Sequence, residues 1–225
     1  MPRKYLLLLV LAFSAAQAVC AQKLQPGLGV RASMEITIPS GASDMYKTGA
    51  GLSIGPVYTL PVYKGLYFEP GVLFTYSAMS SKELIRFDDS YLFDGSAQIY
   101  GMRVPLYFGY SFQPTDMLRI GLYTGPAVNF NISARQNLDP NFALDPPLPR
   151  KTINLFDHGW KHVDVMWGFG LSFNIADNYQ IGISGGVGIT PLAKFGNRDK
   201  KVRIHRNIVA LRNCLKLELK KCYRA

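Results

Sequence analysis

Cysteine, histidine and tryptophan are scarce: a chain of 225 residues holds three, three and two of them. The cysteines stand at positions 20, 214 and 222, so no CxxC pair and no Cys/His spacing of a zinc site can be assembled, and no metal or other cofactor is expected. Cys214 and Cys222 leave two readings open, a disulfide between them or two separate thiols in an unusual tail. Past the first sixteen positions no apolar run approaches the roughly 18 residues that a membrane-spanning helix needs. Charge of one sign is also missing from the body of the chain. The formal +10 lies at the ends: Arg3 and Lys4 at the start, and eleven Lys and Arg against Asp199 and Glu218 over residues 194–225. Between them, 12 basic and 13 acidic residues nearly cancel, which leaves no basic face for a nucleic acid. Hydrophobic residues at 48% and aromatics at 12% exclude a disordered chain.

What is present begins with an export pattern. Arg3 and Lys4 precede an apolar run over residues 5–16, and the small residues that follow end in Ala18-Val19-Cys20-Ala21-Gln22. This is the order of a secretory signal, with cleavage expected after Ala21. Cys20 would carry the lipid of a lipoprotein, but Val19 stands where that site wants a small residue.

The body alternates with a period of two. Over residues 27–39, Leu28, Val30, Ala32, Met34, Ile36 and Ile38 take the even positions, and Gly29, Arg31, Ser33, Glu35 and Thr37 the odd ones. Such alternation marks a strand with two unlike faces. It recurs over 49–60, 66–76, 98–110, 118–132, 161–175 and 179–189, and an eighth strand is expected within 201–219, where the register is least defined. These segments exceed the mean strand of about 5 to 6 residues and match the roughly 9 to 11 that a tilted strand needs to cross a bilayer. Connections of roughly ten, twenty, twenty-eight and eleven residues alternate with ones of five, seven and three, as in a barrel with tight turns at one rim and large loops at the other. Aromatics gather near both strand ends, among them Tyr58, Phe68, Phe108 and Tyr179 at the short turns and Phe74, Tyr100, Trp160 and Trp167 at the long loops. They form two interfacial girdles. The competing reading, a soluble β-sandwich, would make shorter strands and has no reason to sort its loops by length.

In a membrane barrel the polar stripe faces inward. Arg31, Glu35, Glu69, Arg103, Arg119 and Asp164 would then share a lumen that eight strands make just wide enough for side chains to fill. Buried charges need partners, so these six are expected to form a network that plugs the barrel and rules out a conducting channel. The Gly-rich stretches at 49–55 and 185–188 lack both the following helix and the Lys-Ser/Thr of a nucleotide-binding loop. No catalytic signature is present. A lipid-modifying enzyme would have to use His158, His162 and Asp164 near the third long loop.

The signal ending in Ala21-Gln22, the Gly-rich first strand, Gly65-Leu-Tyr-Phe-Glu69-Pro70-Gly71 and Arg103-Val-Pro105-Leu together resemble the outer-membrane β-barrel domain family of the Bacteroidetes, the PorT-like group. The resemblance covers about residues 22–206 and implies an eight-stranded antiparallel up-and-down transmembrane β-barrel in the outer membrane. Some members are linked to protein secretion and most have no established activity, so no catalytic residue carries over. The ending departs from the pattern: such barrels close with a terminal aromatic, whereas this chain ends Lys221-Cys222-Tyr223-Arg224-Ala225. The expected organisation is a signal peptide at 1–21, a barrel at 22–212 and a basic tail at 213–225 whose Leu215, Leu217 and Leu219 alternate like the end of a last strand.

The expected function is non-enzymatic. The barrel would anchor and display loops 78–97 and 133–160 in an envelope or protein-secretion complex, with outer-membrane lipid and loop-bound proteins as partners and no nucleic acid. A periplasmic small-ligand barrel, with its apolar stripe turned inward, is the alternative. Protein recovered from outer membranes is expected to begin at Gln22, which intact-mass measurement checks; retention of residues 1–21 would refute the cleavage reading.

Overall fold

A computed structural model describes residues 26–41, 46–81, 95–115, 117–138, 151–175, 179–195 and 202–217. The expected signal peptide, the end of the tail and the centres of loops 78–97 and 133–160 lie outside these residues. The strands are β1 (Gly27–Ser40), β2 (Gly49–Tyr63), β3 (Leu66–Pro70), β4 (Leu73–Ser81), β5 (Gly95–Thr115), β6 (Leu118–Leu138), β7 (Lys151–Asn154), β8 (Val163–Ile175), β9 (Tyr179–Gly188), β10 (Ala193–Phe195) and β11 (Val202–Leu217). β3 and β4 are two halves of one wall strand. With β1, β2, β5, β6, β8, β9 and β11 they form a closed antiparallel ring of eight, each strand beside its neighbour in sequence. β7 and β10 are short ribbons above the loop rim, on β6 and β11.

The ring is sealed by β1 against β11, paired without interruption from Leu28↔Leu217 to Ser40↔His205. β11 therefore contains the first residues of the segment read as a tail. The turn between β2 and β3 is a two-residue hairpin, Lys64-Gly65, with φ of 34° and 88°. Positive φ at both positions matches the right-handed twist of the flanking strands, and glycine takes it without steric cost. The break between β3 and β4 has a local cause in two prolines. Pro56 and Pro105, on the two neighbouring strands, have no N–H to give to the ladder. Their carbonyls still accept, from Val72 N–H at 3.0 Å and Gly71 N–H at 3.2 Å.

Exposure follows sequence parity. Along β1 the burial alternates residue by residue, with Val30, Met34, Ile36 and Ile38 outside and Arg31, Ser33, Glu35 and Thr37 inside. The outer surface carries Leu52, Ile54, Phe74, Phe108, Leu122, Phe169, Ile183, Val187 and Leu211, all exposed. A barrel with this surface needs an apolar solvent, so the small-ligand alternative with its apolar stripe inward is overturned. Trp160 corrects the expected girdle: it is 4% exposed and turned into the barrel mouth. Trp167, Tyr100 and Phe130 remain on the outside.

Leu122 sits on this outer face, 45% exposed. Leu122→Lys would put an ammonium into hydrocarbon and should cost about 2–4 kcal/mol if the residue lies near the bilayer midplane. Urea unfolding in detergent micelles and membrane recovery in cells measure the loss; an unchanged midpoint would contradict the lipid-facing assignment.

Candidate functional site

The barrel interior is filled in three layers, each set by what the inward stripe supplies at that height. Nearest the long loops is an apolar plug of Tyr46, Met79, Ala97, Ile99, Ala134, Leu155, Trp160, Leu192, Ala193 and Ile204. The loop after β7 adds Leu155 and Trp160 to it by folding back over the mouth. Asn154 caps a 3-10 turn over Leu155–His158, accepting from Phe156 N–H at 3.3 Å, and Gly159 closes the turn in the left-handed region at φ 84°. Trp160 then bridges Ala193 and packs edge-on against Tyr46, ring centres 5.6 Å apart. Two polar side chains border the plug in a relay: the Tyr46 hydroxyl donates to Gln136, and the Gln136 amide donates to Ser81 Oγ at 2.9 Å, while the Trp160 indole N–H is buried without an acceptor. Burial pushes the Tyr46 phenol up to about 12, so it remains a donor.

Beneath the plug lies a connected charge network. Arg103 grips Glu35 with both terminal nitrogens, at 2.6 and 3.1 Å, and its Nε donates to Asn129 at 2.8 Å. Ser53 donates to the same Glu35 at 2.7 Å. Asn129 and Asn131 each donate to one oxygen of Asp164, at 2.8 and 2.9 Å. Arg206 completes the chain, 3.4 Å from Asp164 and donating to Asn131 at 2.8 Å. Nearer the short-turn rim Arg31 pairs with Glu69, both buried.

A third, tyrosine-rich layer adjoins that pair. Tyr67, Tyr107 and Tyr123 all point inward, where glycines make room for the rings. A Cβ on Gly109 would lie 2.3 Å from the Tyr67 ring, and one on Gly170 would lie 2.1 Å from the Tyr123 hydroxyl. Arg212 lies over the Tyr107 and Tyr123 rings, at 5.1 and 4.8 Å from their centres, and donates to the Tyr107 hydroxyl at 3.3 Å.

Of the six residues expected in the lumen, Glu35, Arg103 and Asp164 fall in one network and Arg31 and Glu69 in a second pair. Arg119 is half-buried near the short-turn rim and donates to Gln113 at 3.0 Å. Sequence reasoning missed Arg206 and Arg212, both on β11, and did not assign Asn129 and Asn131 their linking role. His158, His162 and Asp164 do not form a catalytic group. Asp164 is engaged by Asn129, Asn131 and Arg206, while His158 is exposed and His162 is exposed and stacked on Phe156, with centres 3.9 Å apart. Among the described residues no group of three or more His, Cys, Asp or Glu could hold a metal ion.

Over residues 18–194 the chain matches the family model described as an outer membrane protein β-barrel domain. Among solved structures it is similar to Neisserial surface protein A, at 11% identity and a TM-score of 0.44, covering 86% of this chain and 100% of that one. It is similar also to Ail, the attachment invasion locus protein of Yersinia pestis, at 14% identity and 0.39, covering 85% and 97%. A third is the outer membrane enzyme PagL, at 9% identity and 0.42, covering 83% and 99%. No curated protein sequence matches the chain.

The network makes a quantitative demand. Arg103→Ala leaves Glu35 buried without its cation and should destabilise the barrel by about 3–5 kcal/mol. Replacing both partners, Glu35→Leu with Arg103→Met, should recover most of that loss, because an apolar pair leaves no stranded charge. Urea midpoints in micelles compare the two; equal damage in both would show that the ion pair is not the source.

Proposed function

Because the chain belongs to the outer membrane protein β-barrel domain family, and so resides in the outer membrane, we propose that it is a non-enzymatic anchor and scaffold. Its closed barrel holds loops 78–97 and 133–160 at the cell surface. The observation that carries this reading is the filled lumen, in which an apolar plug, a charge network and a tyrosine layer succeed one another along the axis. A pore would need a continuous polar path, and the plug interrupts it with Leu155, Trp160, Leu192 and Ile204. An enzyme would need its acid and base groups together at a cleft, whereas Asp164 is tied up inside the wall and both nearby histidines lie outside it.

The finer assignment, to the PorT-like group with a part in protein secretion, rests on the Glu69-Pro70-Gly71 and Arg103-Val-Pro105 segments and belongs to this proposal. In the fold, both segments stand at the wall-strand break, where Gly71 N–H meets the Pro105 carbonyl. Proteins recognised through the loops are the expected partners, and lipid acyl chains cover the outer wall.

Two measurements test the proposal. In planar bilayers the pure protein is expected to pass no large, steady current, and a stable open conductance would overturn the filled-lumen reading. In affinity purification from outer membranes, proteins should accompany the intact chain and be lost when residues 84–92 are removed. Recovery of both forms without companions would overturn the scaffold role.

A further inference from the structure

The charge network leaves one arginine over. Each buried carboxylate of the described lumen has an arginine against it: Glu35 has Arg103, Glu69 has Arg31 and Asp164 has Arg206. Arg212 makes no ion-pair contact of its own: Glu35 feels its charge but is gripped by Arg103, and the direct contacts of Arg212 are the Tyr107 hydroxyl and the Tyr107 and Tyr123 rings. A guanidinium inside a barrel wall surrounded by hydrocarbon is costly without a countercharge. Tyrosine faces offset only part of that cost.

A small cavity opens at this arginine. It measures about 10 Å³ and is lined by Arg31, Tyr123, Ser172, Gln180, Gly182, Arg212 and Cys214. Three hydrogen-bond donors around it are buried and unused: Nη1 of Arg31, Nη1 of Arg212 and the Tyr123 hydroxyl. Arg31 is only 2% exposed and its other terminal nitrogen is committed to Glu69. Two cations and a phenol with unused N–H and O–H groups therefore border one space that holds about a single small sphere.

A neighbouring cavity of the same size sets the contrast. It is lined by Thr59, Tyr67, Glu69, Ser111, Gly121, Asn174 and Gln180; Gln180, with its unused Oε1, borders both cavities, and the unused atom that this one has to itself is an acceptor, Oδ1 of Asn174. A water suits that space, donating to the Asn174 carbonyl. In the Arg31/Arg212 space a water would satisfy hydrogen bonds but leave the charge uncompensated.

We propose that the cavity between Arg31, Arg212 and Tyr123 binds a monatomic anion of the halide class, chloride in physiological salt, as the countercharge of Arg212. The site is structural. It completes the charge balance of the lumen, and its size excludes phosphate, sulfate and carboxylates. The inference concerns the lumen alone and stands or falls separately from the scaffold role of the loops.

The test uses the full-length barrel in detergent micelles and in crystals grown with bromide. Anomalous scattering should place a bromide in the Arg31/Arg212 cavity and none in the Asn174/Gln180 cavity. At fixed ionic strength, replacing gluconate, which is too large to enter, with chloride should raise the folded-to-unfolded ratio about tenfold once chloride reaches ten times its dissociation constant. Arg212→Met should abolish that dependence. A cavity without anomalous signal in saturating bromide, or native stability indifferent to the exchange of gluconate for chloride, would overturn the proposal. Both readings use the native protein, so they hold even if the variant fails to fold.

Discussion

The structure depends on the seal between β1 and β11. In hydrocarbon no water is available to a backbone N–H or carbonyl, so an open sheet edge would strand a row of polar groups at several kcal/mol each. Thirteen paired positions between the first and last strands remove both edges at once. Closure with eight strands then fixes everything inside. The lumen is narrow, so inward residues meet across it, and glycine must alternate with tyrosine where rings cross the axis. Along most of the wall the outward residues are apolar.

This inverts the usual relation between burial and polarity. Among the most deeply buried side chains are Arg31, Gln136, Asn129, Thr37 and Asp164, while Met34 is 71% exposed and Ile132 64%. An ion pair inside such a wall adds little net stability, since desolvation offsets the attraction, but losing one partner is severe. The lumen therefore works as a specification. Ser53, Glu35, Arg103, Asn129, Asp164 and Arg206 come from β2, β1, β5, β6, β8 and β11, and their hydrogen bonds form only when all six strands stand at the right height. The plug contributes in a different way, through apolar area: strand residues Met79, Ala97, Ile99, Ala134 and Ile204 meet loop residues Leu155 and Trp160, whose backbone is held by the Asn154 cap and the Trp160 to Ala193 bridge.

Most of the wall was legible because a membrane strand obeys a simple rule: one residue in two must suit lipid. The expected strands at 27–39, 49–60, 66–76, 98–110, 118–132, 161–175 and 179–189 fall within a few residues of the observed ones, apart from longer loop-side ends on β4 and β6 and a longer turn-side end on β5. Those extensions rise beyond the lipid, where the rule no longer applies. Trp160 was misplaced for the same reason. A tryptophan beside a strand end reads as an interfacial anchor, and nothing local reports that its loop turns back into the mouth. β11 defeated the pattern because its faces are nearly balanced: Ile204, Ile208 and Ala210 point inward with Arg206 and Arg212, and His205, Asn207 and Asn213 share the other face with Val209, Leu211 and Leu215. Without a dominant stripe, the partner of Asp164 could not be named from sequence.

The weak stripe of β11 bears on how the barrel is put together. A strand that pairs one residue out of step turns every side chain to the opposite face, and for β11 that would carry Arg206 and Arg212 together out into lipid. A slip of two keeps them inside but moves Arg206 by about 7 Å along the wall, away from Asp164. Until this strand docks, Asp164 has its two asparagines and no cation, and the space between Tyr107 and Tyr123 stands without its guanidinium. The last strand thus arrives like a key with two teeth, and the unclosed barrel already holds both notches. Where hydrophobic patterning gives little guidance, arginine placement alone selects the register in which the wall shuts.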